Sequence, residues 1–476
     1  MKMNQYIGLF FVLAITTMTS CSDWLDVDPV SEIGADQLFE TREGFNVAIN
    51  GIYMGLASKE LYGGELNYGA VELMSRAITS ESNTDGAFMD HDYEYAGAKS
   101  RITSVWEKSY NLIANCNKLI EELEKKDKTF FLEYEYDQYM GQAVAARALL
   151  YFNVVRLFAP YHLRQDEAVI PYTTELSPVA GAKLKTSAIM DSVVNDFKTS
   201  RNLLAKMDTL EATALEMKNR TYRFNYSYSD NEKAIGFRFN QMAVTALLAR
   251  AALWNGDNEL AYECAYEAYS KWGVQPELKT TISKDNHDRL LSYGMFMGLY
   301  TSKLNEYYES GINAGVHYVN NITQDYPDLD GDYRYSKLIK EVGTNKFQSQ
   351  KYVDEDLSNG VVANMVPVVR ISEMMYIVAE LMFDNDPDNA LNWVNWLRKR
   401  RGTVASYCPT SMPDKAAFME YLVNEVHKDL IGEGQLFFYY KRLNWPVPDM
   451  AVYGEEGKTM TEEDFTWPIP ESEFVN

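Results

Sequence analysis

Apolar residues recur at helical spacing through most of this chain. The clearest case runs from Phe239 to Trp272. Met242, Thr245, Ala246, Ala249, Ala252 and Leu253 share one face; the pattern stops at Asn255-Gly256-Asp257; Leu260, Ala261, Cys264, Ala265 and Ala268 resume it. Glycine frees the backbone at a helix end, and an Asp or Asn side chain accepts from the unpaired N–H groups that open the next helix. Gly256 should therefore stop one helix and Asp257 or Asn258 cap a second. The small residues Ala246, Ala249, Ala261 and Ala265 let two antiparallel helices approach closely. A second copy spans Pro367 to Arg401, with Asp386 opposite Asp257 and Ala390 opposite Ala261. One helix pair cannot bury both its faces, so such pairs should stack in the tetratricopeptide manner.

Further helices are expected over Leu38–Leu56, Ile102–Leu123, Glu135–Phe158, Ser187–Met207 and from Lys415 to Gly432. Pro160 ends the third, because a residue before proline is driven out of the α region. Periodicity is lost over 57–100, 160–185 and 208–233, and over the long excursion between the two copies. Within that excursion Leu291–Tyr300 reads as a strand and Tyr335–Tyr352 alternates weakly. The expected fold is mainly α, with roughly four helix pairs carrying long irregular insertions. Loops shown by a rigid scaffold are where binding groups belong, so the insertions are the place to look for function.

The N-terminus adds a destination. Lys2 precedes a short apolar run, Tyr6–Ile15, and Met18-Thr19-Ser20 abut Cys21. The run is too short to span a bilayer, which takes about 20 apolar residues. It resembles a bacterial lipoprotein signal with Met18 in place of the usual Leu. Residues 1–20 are then a leader to be removed, 21–37 an acylated N-terminus and tether, and 38–476 a single folded body with variable loops. Acyl chains on Cys21 would hold the protein at the membrane.

The formal charge of −23 argues against non-specific nucleic-acid binding and against docking on anionic lipid through protein charge. The run Arg398-Lys399-Arg400-Arg401 ends an expected helix, where cations complement the helix dipole. Cys116 and Cys264 fall on helical patterns and read as core residues, and no paired cysteine spacing points to zinc or to disulfides. No nucleotide, metalloprotease or hydrolase fingerprint is present, and no cofactor or metal is expected. Asp328, Asp330 and Asp332 begin like a calcium loop, but Tyr333 and Ile339 stand where an EF-hand needs Gly and Glu; an acidic turn followed by Arg334 is the better reading. Arg370, Glu373 and Glu380 sit on an otherwise apolar helix and read as a buried ion network rather than as catalytic groups.

The 34 tyrosines supply flat apolar faces with a polar tip, which suits contact surfaces that stay wet. Two irregular stretches combine them with hydrogen-bonding groups. One carries Asn83, Asp85, Phe88, Tyr93 and Tyr95; the other carries Tyr300, Tyr307, Tyr308, Tyr318 and Tyr333. Most single aromatics there are structural; the site is sought among them.

Taken together, CSDWLDVDPVSEI, WEKSYNLIANCNKLI, AARALLYFNVVRLFAPYHL, ALLARAALWNGDNELA, VPVVRISEMMYIVAEL, KDLIGEGQLFFYYKRLN and WPIPESEF resemble, in order and spacing, the SusD/RagB nutrient-uptake lipoproteins. The usual Leu-Phe-Gly is here Leu157-Phe158-Ala159-Pro160. The resemblance implies a SusD-like fold and an outer-membrane lipoprotein facing outward. It implies a non-enzymatic binder of oligosaccharides, acting as a lid on a TonB-dependent, SusC-like transporter. Some members of the family bind peptides instead, and a helical surface glycoside hydrolase is the alternative from another class. No ligand residue is carried over by the resemblance, because the family's site follows no fixed motif.

Overall fold

The computed structural model describes residues 35–176, 181–208, 235–271, 289–315, 318–319, 322, 326–328, 331–344, 346–353, 364–447 and 459–474. Cys21, the expected leader and tether, most of the 208–233 stretch and Asp330 lie outside them. Packing separates a leading unit that ends at Phe45 from a main unit, Asn46–Asn476. The leading unit holds α1 (Ala35–Leu38), and the Phe39 and Phe45 rings meet edge-on with centroids 5.0 Å apart. Helix α2 (Arg42–Leu56) runs on from it.

The stretch 57–100, which lacks periodicity, is not without structure. It holds α3 (Ala70–Met74), β1 (Ile78–Thr79), α4 (Asn83–Asp90) and the start of α5 (Ala96–Glu124). Helices of one or two turns are too short to show a 3.6-residue period; α4 is set by Ser82, whose side chain accepts from the Asp85 N–H. Helix α6 is Glu135–Phe158, as expected. Two short strands, β2 (Ala168–Pro171) and β3 (Lys183–Lys185), pair antiparallel before α7 (Thr186–Asp208).

The first repeat copy forms α8 (Gln241–Trp254) and α9 (Asn258–Lys271). Asn240 caps α8 through Ala243 N–H, Gly256 takes φ +77° at its end, and Asp257 accepts from Leu260 N–H at 3.1 Å. The excursion follows: β4 (Met295–Tyr300), α10 (Leu304–Gly315), β5 (Tyr318–Val319), α11 (Tyr333–Leu338), β6 (Ile339–Gly343), β7 (Lys346–Ser349) and β8 (Met365–Arg370). The second copy is α12 (Ile371–Met382) and α13 (Pro387–Arg400), and Asp386 repeats the Asp257 cap on Asn389 N–H. Its first four expected residues belong instead to β8: Met365–Arg370 is buried on both faces and pairs antiparallel with β4. A short apolar run reads equally as strand or helix until its partner is known. The chain ends with α14 (Lys415–Leu430) and α15 (Leu436–Leu443).

The long helices stack in sequence: α5 on α6, α6 on α7, α7 on α8, α8 on α9. Helix α9 then packs on α12 and α12 on α13 and α14, so the two copies are neighbours despite the excursion between them. Small residues permit this; Ala143, Ala145, Ala146, Ala148, Ala246, Ala249, Ala261 and Ala265 have no exposed surface. Cys116 and Cys264 are buried and unpaired, as expected. A four-stranded sheet, in the order β1-β5-β7-β6, ties the excursion back to residues 78–79.

Buried charge holds the excursion on the stack. Arg334, 1% exposed, donates through Nε and Nη2 to both Asp332 oxygens at 2.9 and 2.7 Å, and through Nη2 to Glu425 at 2.9 Å. Arg401 forks onto Asp429, and Lys428 and Arg398 meet Glu425. The basic run that reads as a dipole complement is thus half interior: Arg398 and Arg401 are buried ion partners, while Lys399 and Arg400 face out. The acidic turn behaves as expected, Asp332 capping α11. Arg370 pairs with Glu433, Arg250 with Glu373 and Arg442 with Glu380. Arg370, Glu373 and Glu380 are thus buried and ion-paired, but they do not form the expected network with one another: each finds its partner on a different element.

Removing one member of a buried pair strands the other charge. Arg334→Met should lower unfolding free energy by about 3–5 kcal/mol in chemical denaturation; a loss under about 1 kcal/mol would show the network to be dispensable.

A pH dependence follows from the same region. Burial, then Lys428 and Arg334, hold the His427 imidazole down at about 4 from its ordinary 6.5. The unfolded chain binds this proton first, so the stability tied to a neutral His427 is complete above pH 6.5 and drains away as pH falls to 4. The linkage amounts to about 3 kcal/mol at the acid end. Thermal melting should fall over that window, and His427→Gln should flatten the fall.

Candidate functional site

The two tyrosine-bearing stretches meet at one cleft of about 390 Å³. Its wall comes from the turns before α3 (Lys59, Glu65, Tyr68), from the first turn of α4 (Thr84, Asp85), from α5 (Arg101, Ser104) and from α10 (Tyr307, Ser310). Arg101 is the hub. Its Nε and Nη2 donate to Glu65 Oε1 and Oε2 at 2.9 and 2.5 Å, its Nη1 donates to Asp85 at 2.7 Å, and its guanidinium lies 4.7 Å from the Phe88 ring centre. Burial works against this charge, but the attraction of Glu65 and Asp85 outweighs it and raises the guanidinium above its ordinary value. Glu65 also accepts from Ala70 N–H at 3.1 Å, and Asp85 from the Ser80 hydroxyl at 2.7 Å. The polar wall is thus bonded to the backbone of α3 and to the Ser80 hydroxyl ahead of α4, and is preorganised.

Tyr68, one of the lining residues, belongs to a buried aromatic cluster. The Tyr68, Tyr308 and Tyr352 rings contact one another with centroids 5.0–5.5 Å apart. Their hydroxyls donate to Gly63, Ser349 and Gly432 carbonyls. Burial raises the pKa of all three phenols, so each keeps its proton to donate.

The residues singled out from sequence fare differently. Asp85 and Tyr307 line the cleft, Tyr307 half-buried at its edge. Asn83 is exposed in the first turn of α4. Tyr308 does not line the cleft; it is buried in the aromatic cluster with Tyr68. Phe88 has no exposed surface; its ring packs on Trp467 at 5.9 Å as part of the core, so it offers no free face. Tyr93 is buried too, its hydroxyl donating to the Asp464 carbonyl at 2.5 Å. Phe88 belongs to the core because 83–90 is a helix with an inward face, not the loop its polar composition suggests; Tyr93 follows that helix and is drawn in by Asp464 and Met74. Tyr95 is exposed at the start of α5, and Tyr300 at the end of β4. Tyr333 is half-buried, its ring against the Gly402 backbone. For Tyr318 only the backbone, paired with Thr79 in the sheet, is described. Arg101, Glu65 and Lys59 carried no sequence signal: Arg101 sits within a helical pattern, and nothing local marks which charge faces a cleft.

No group of three or more His, Cys, Asp and Glu side chains able to hold a metal occurs among the described residues, and none of their helices is long and apolar enough to cross a membrane.

A family model described as starch-binding and associating with the outer membrane matches residues 23–253, and the SusD family model matches residues 203–474. SusD-like protein P38 of Formosa agariphila is 22% identical, the match covering 98% of this chain and 97% of that one. A SusD-like carbohydrate binding protein from Bacteroides vulgatus superposes with a TM-score of 0.68 at 16% identity, covering 91% of this chain and 96% of that one. A laminarin binding SusD-like protein superposes with a TM-score of 0.57 at 16% identity, covering 85% and 91%. Helical stack, inserted excursion and end-to-end match agree: the chain belongs to the SusD family.

Proposed function

We propose that this protein is a non-catalytic, cell-surface glycan binder that captures an oligosaccharide for a TonB-dependent outer-membrane importer and serves as its lid. One observation carries the reading: the cleft joins Asp85 and Tyr307, from two distant tyrosine-rich stretches, around a fixed guanidinium. Hydroxyl, carboxylate and guanidinium groups on the walls match sugar hydroxyls, and Tyr307 at the edge offers a ring to a pyranose face. Membership of the SusD family and the laminarin-binding relative support a carbohydrate as the ligand. Glu65 and Asp85 both answer one arginine. That is an ion-paired anchor, whereas a glycosidase needs one of its two carboxyls kept protonated as the acid. A surface binder cannot move its ligand inward by itself, which is why a separate channel belongs to the proposal. Lipidation at Cys21 would keep binder and channel in one membrane.

A glycan panel tests it. Purified protein should bind one class of oligosaccharide in titration calorimetry and release no new reducing ends. New reducing ends would make it a hydrolase, and binding only to a peptide mixture would make it a peptide-importer component. For the glycan that binds, Tyr307→Ala should weaken affinity by about 1–3 kcal/mol with the melting temperature unchanged. Phe88→Ala should instead destabilise the fold by about 3–5 kcal/mol, because it hollows the core. Unaltered affinity in Tyr307→Ala would move the site elsewhere.

Attachment has its own test. Cys21→Ser should leave a folded protein that washes off membranes. Retention of a fully processed variant after a salt wash would contradict lipid anchoring. Gentle detergent extraction from cells grown on the inducing nutrient should recover a barrel transporter in near-equal amount; recovery of this protein alone would leave an independent binder.

A further inference from the structure

A small cavity of about 30 Å³ lies inside the helix stack, lined by residues of α6, α8, α12 and α15, among them Phe152, Arg156, Arg250, Trp254, Glu373 and Arg442. Its polar groups are unusual. Arg156, 2% exposed, is sandwiched between the Phe152 and Phe438 rings, 4.3 and 3.8 Å from their centres. Its Nη1 and Nη2 donate to the Gln435 and Asn153 side-chain oxygens at 3.2 and 2.6 Å; no carboxylate of the described residues lies within ion-pair distance. Arg250 spends Nε and Nη2 on Glu373 and on the Val368 carbonyl. Arg442 forks onto Glu380 at 2.7 Å. The cluster therefore holds three arginines against two glutamates, one positive charge in excess.

Three nitrogens on cavity-lining residues have no hydrogen-bond acceptor among the described residues: Arg156 Nε, Arg250 Nη1 and Trp254 Nε1. Residues this buried keep their donors satisfied, and leaving several unmet in one place calls for an acceptor that is not part of the chain. A water has two lone pairs and so leaves at least one of the three donors unmet. An acceptor-only particle has room in its coordination for all three donors and cancels the excess charge. The cavity is the size of one water, so the particle is monatomic.

We propose that this cavity is a binding site for a small monovalent anion, chloride in the organism's surroundings, held by Arg156, Arg250 and Trp254. Burial, followed by the repulsion of Arg250, pulls the Arg156 guanidinium down to about 9, the penalty that an adjacent anion relieves. The ion would lock α6 and α8 to the C-terminal helices as a structural component, independently of the surface cleft and of the glycan reading.

Crystals of the protein soaked in sodium bromide, measured at the bromine edge, should show an anomalous peak among Arg156, Arg250 and Trp254. A water without anomalous signal there, or bromide only at the surface, overturns the proposal. In solution, the melting temperature should rise saturably with sodium chloride or bromide relative to sodium gluconate of equal ionic strength. Arg156→Met keeps the packing between the two rings and removes the charge; it should abolish the halide-specific rise. Trp254→Phe removes only one donor and should shift the halide midpoint several-fold upward. An unchanged halide response in either variant overturns the assignment, and the wild-type crystal result decides the matter should either variant not fold.

Discussion

Paired charge in the interior is what the rest of this structure depends on. Apolar contact docks part of the long excursion, through the buried β4–β8 pair and the cluster of Ile322, Tyr326 and Ile431. Ion pairs fix the rest. Arg334 of α11 reaches Glu425, and Arg370 at the end of β8 reaches Glu433. Lys351 after β7 meets Glu433 and the Ile431 carbonyl. Each link joins a residue of the excursion to α14 or to the turn that follows it. Such pairs gain little net stability over well-packed apolar groups, but a single mispaired member is costly, so they favour one arrangement of the insertion over others.

The same device reaches the cleft. Glu72 on α3 is buried and accepts from the Gly432 and Gly434 N–H groups at 2.7 and 3.1 Å. Burial raises its carboxyl to about 7, against the pull of those two N–H groups and of Lys351. Gly434 has to be glycine: its φ is +62° and a Cβ would stand 2.0 Å from the Leu66 carbonyl oxygen. The turn after α14 is thereby pressed against the residues that precede α3, and Tyr352, whose ring contacts Tyr68, adds a bond to Gly432. Through Tyr68 this cluster joins the cleft wall to the ion network. A site built this way is held in shape before its ligand arrives, which lowers the cost of binding.

Lys441 shows how far the interior relies on cations. It has no exposed surface and donates to the carbonyls of Arg156, Ala159 and Phe465 at 2.7–2.8 Å. Burial brings its amine down to about 7, yet three acceptors in reach of three protons suit the ammonium form. It closes the C-terminal end of α6 just where Ala159-Pro160 replaces the more usual glycine, and fastens the Trp467 segment there.

From the sequence alone one could read the long helices, a cap at Asp257 or Asn258, the stop at Gly256, the core cysteines, the acidic turn at Asp332 and, through ordered resemblance, the family. All of these rest on local periodicity, on side chains bonding within a turn, or on a sum of many weak matches. The tertiary structure decided the rest. The polarity of 83–90 suggests a loop, but Ser82 and the Trp467 ring make it a helix with Phe88 inside. Pro367–Arg370 could begin a helix until β4 supplies a partner strand. Arg398 and Arg401 look like a helix-end charge run until Glu425 and Asp429 come within reach. Arg101 becomes the centre of the cleft only because Glu65 and Asp85 converge on it. Contacts between residues far apart in sequence leave no periodic trace in either partner, and a charge looks the same in sequence whether it meets water or a buried carboxylate.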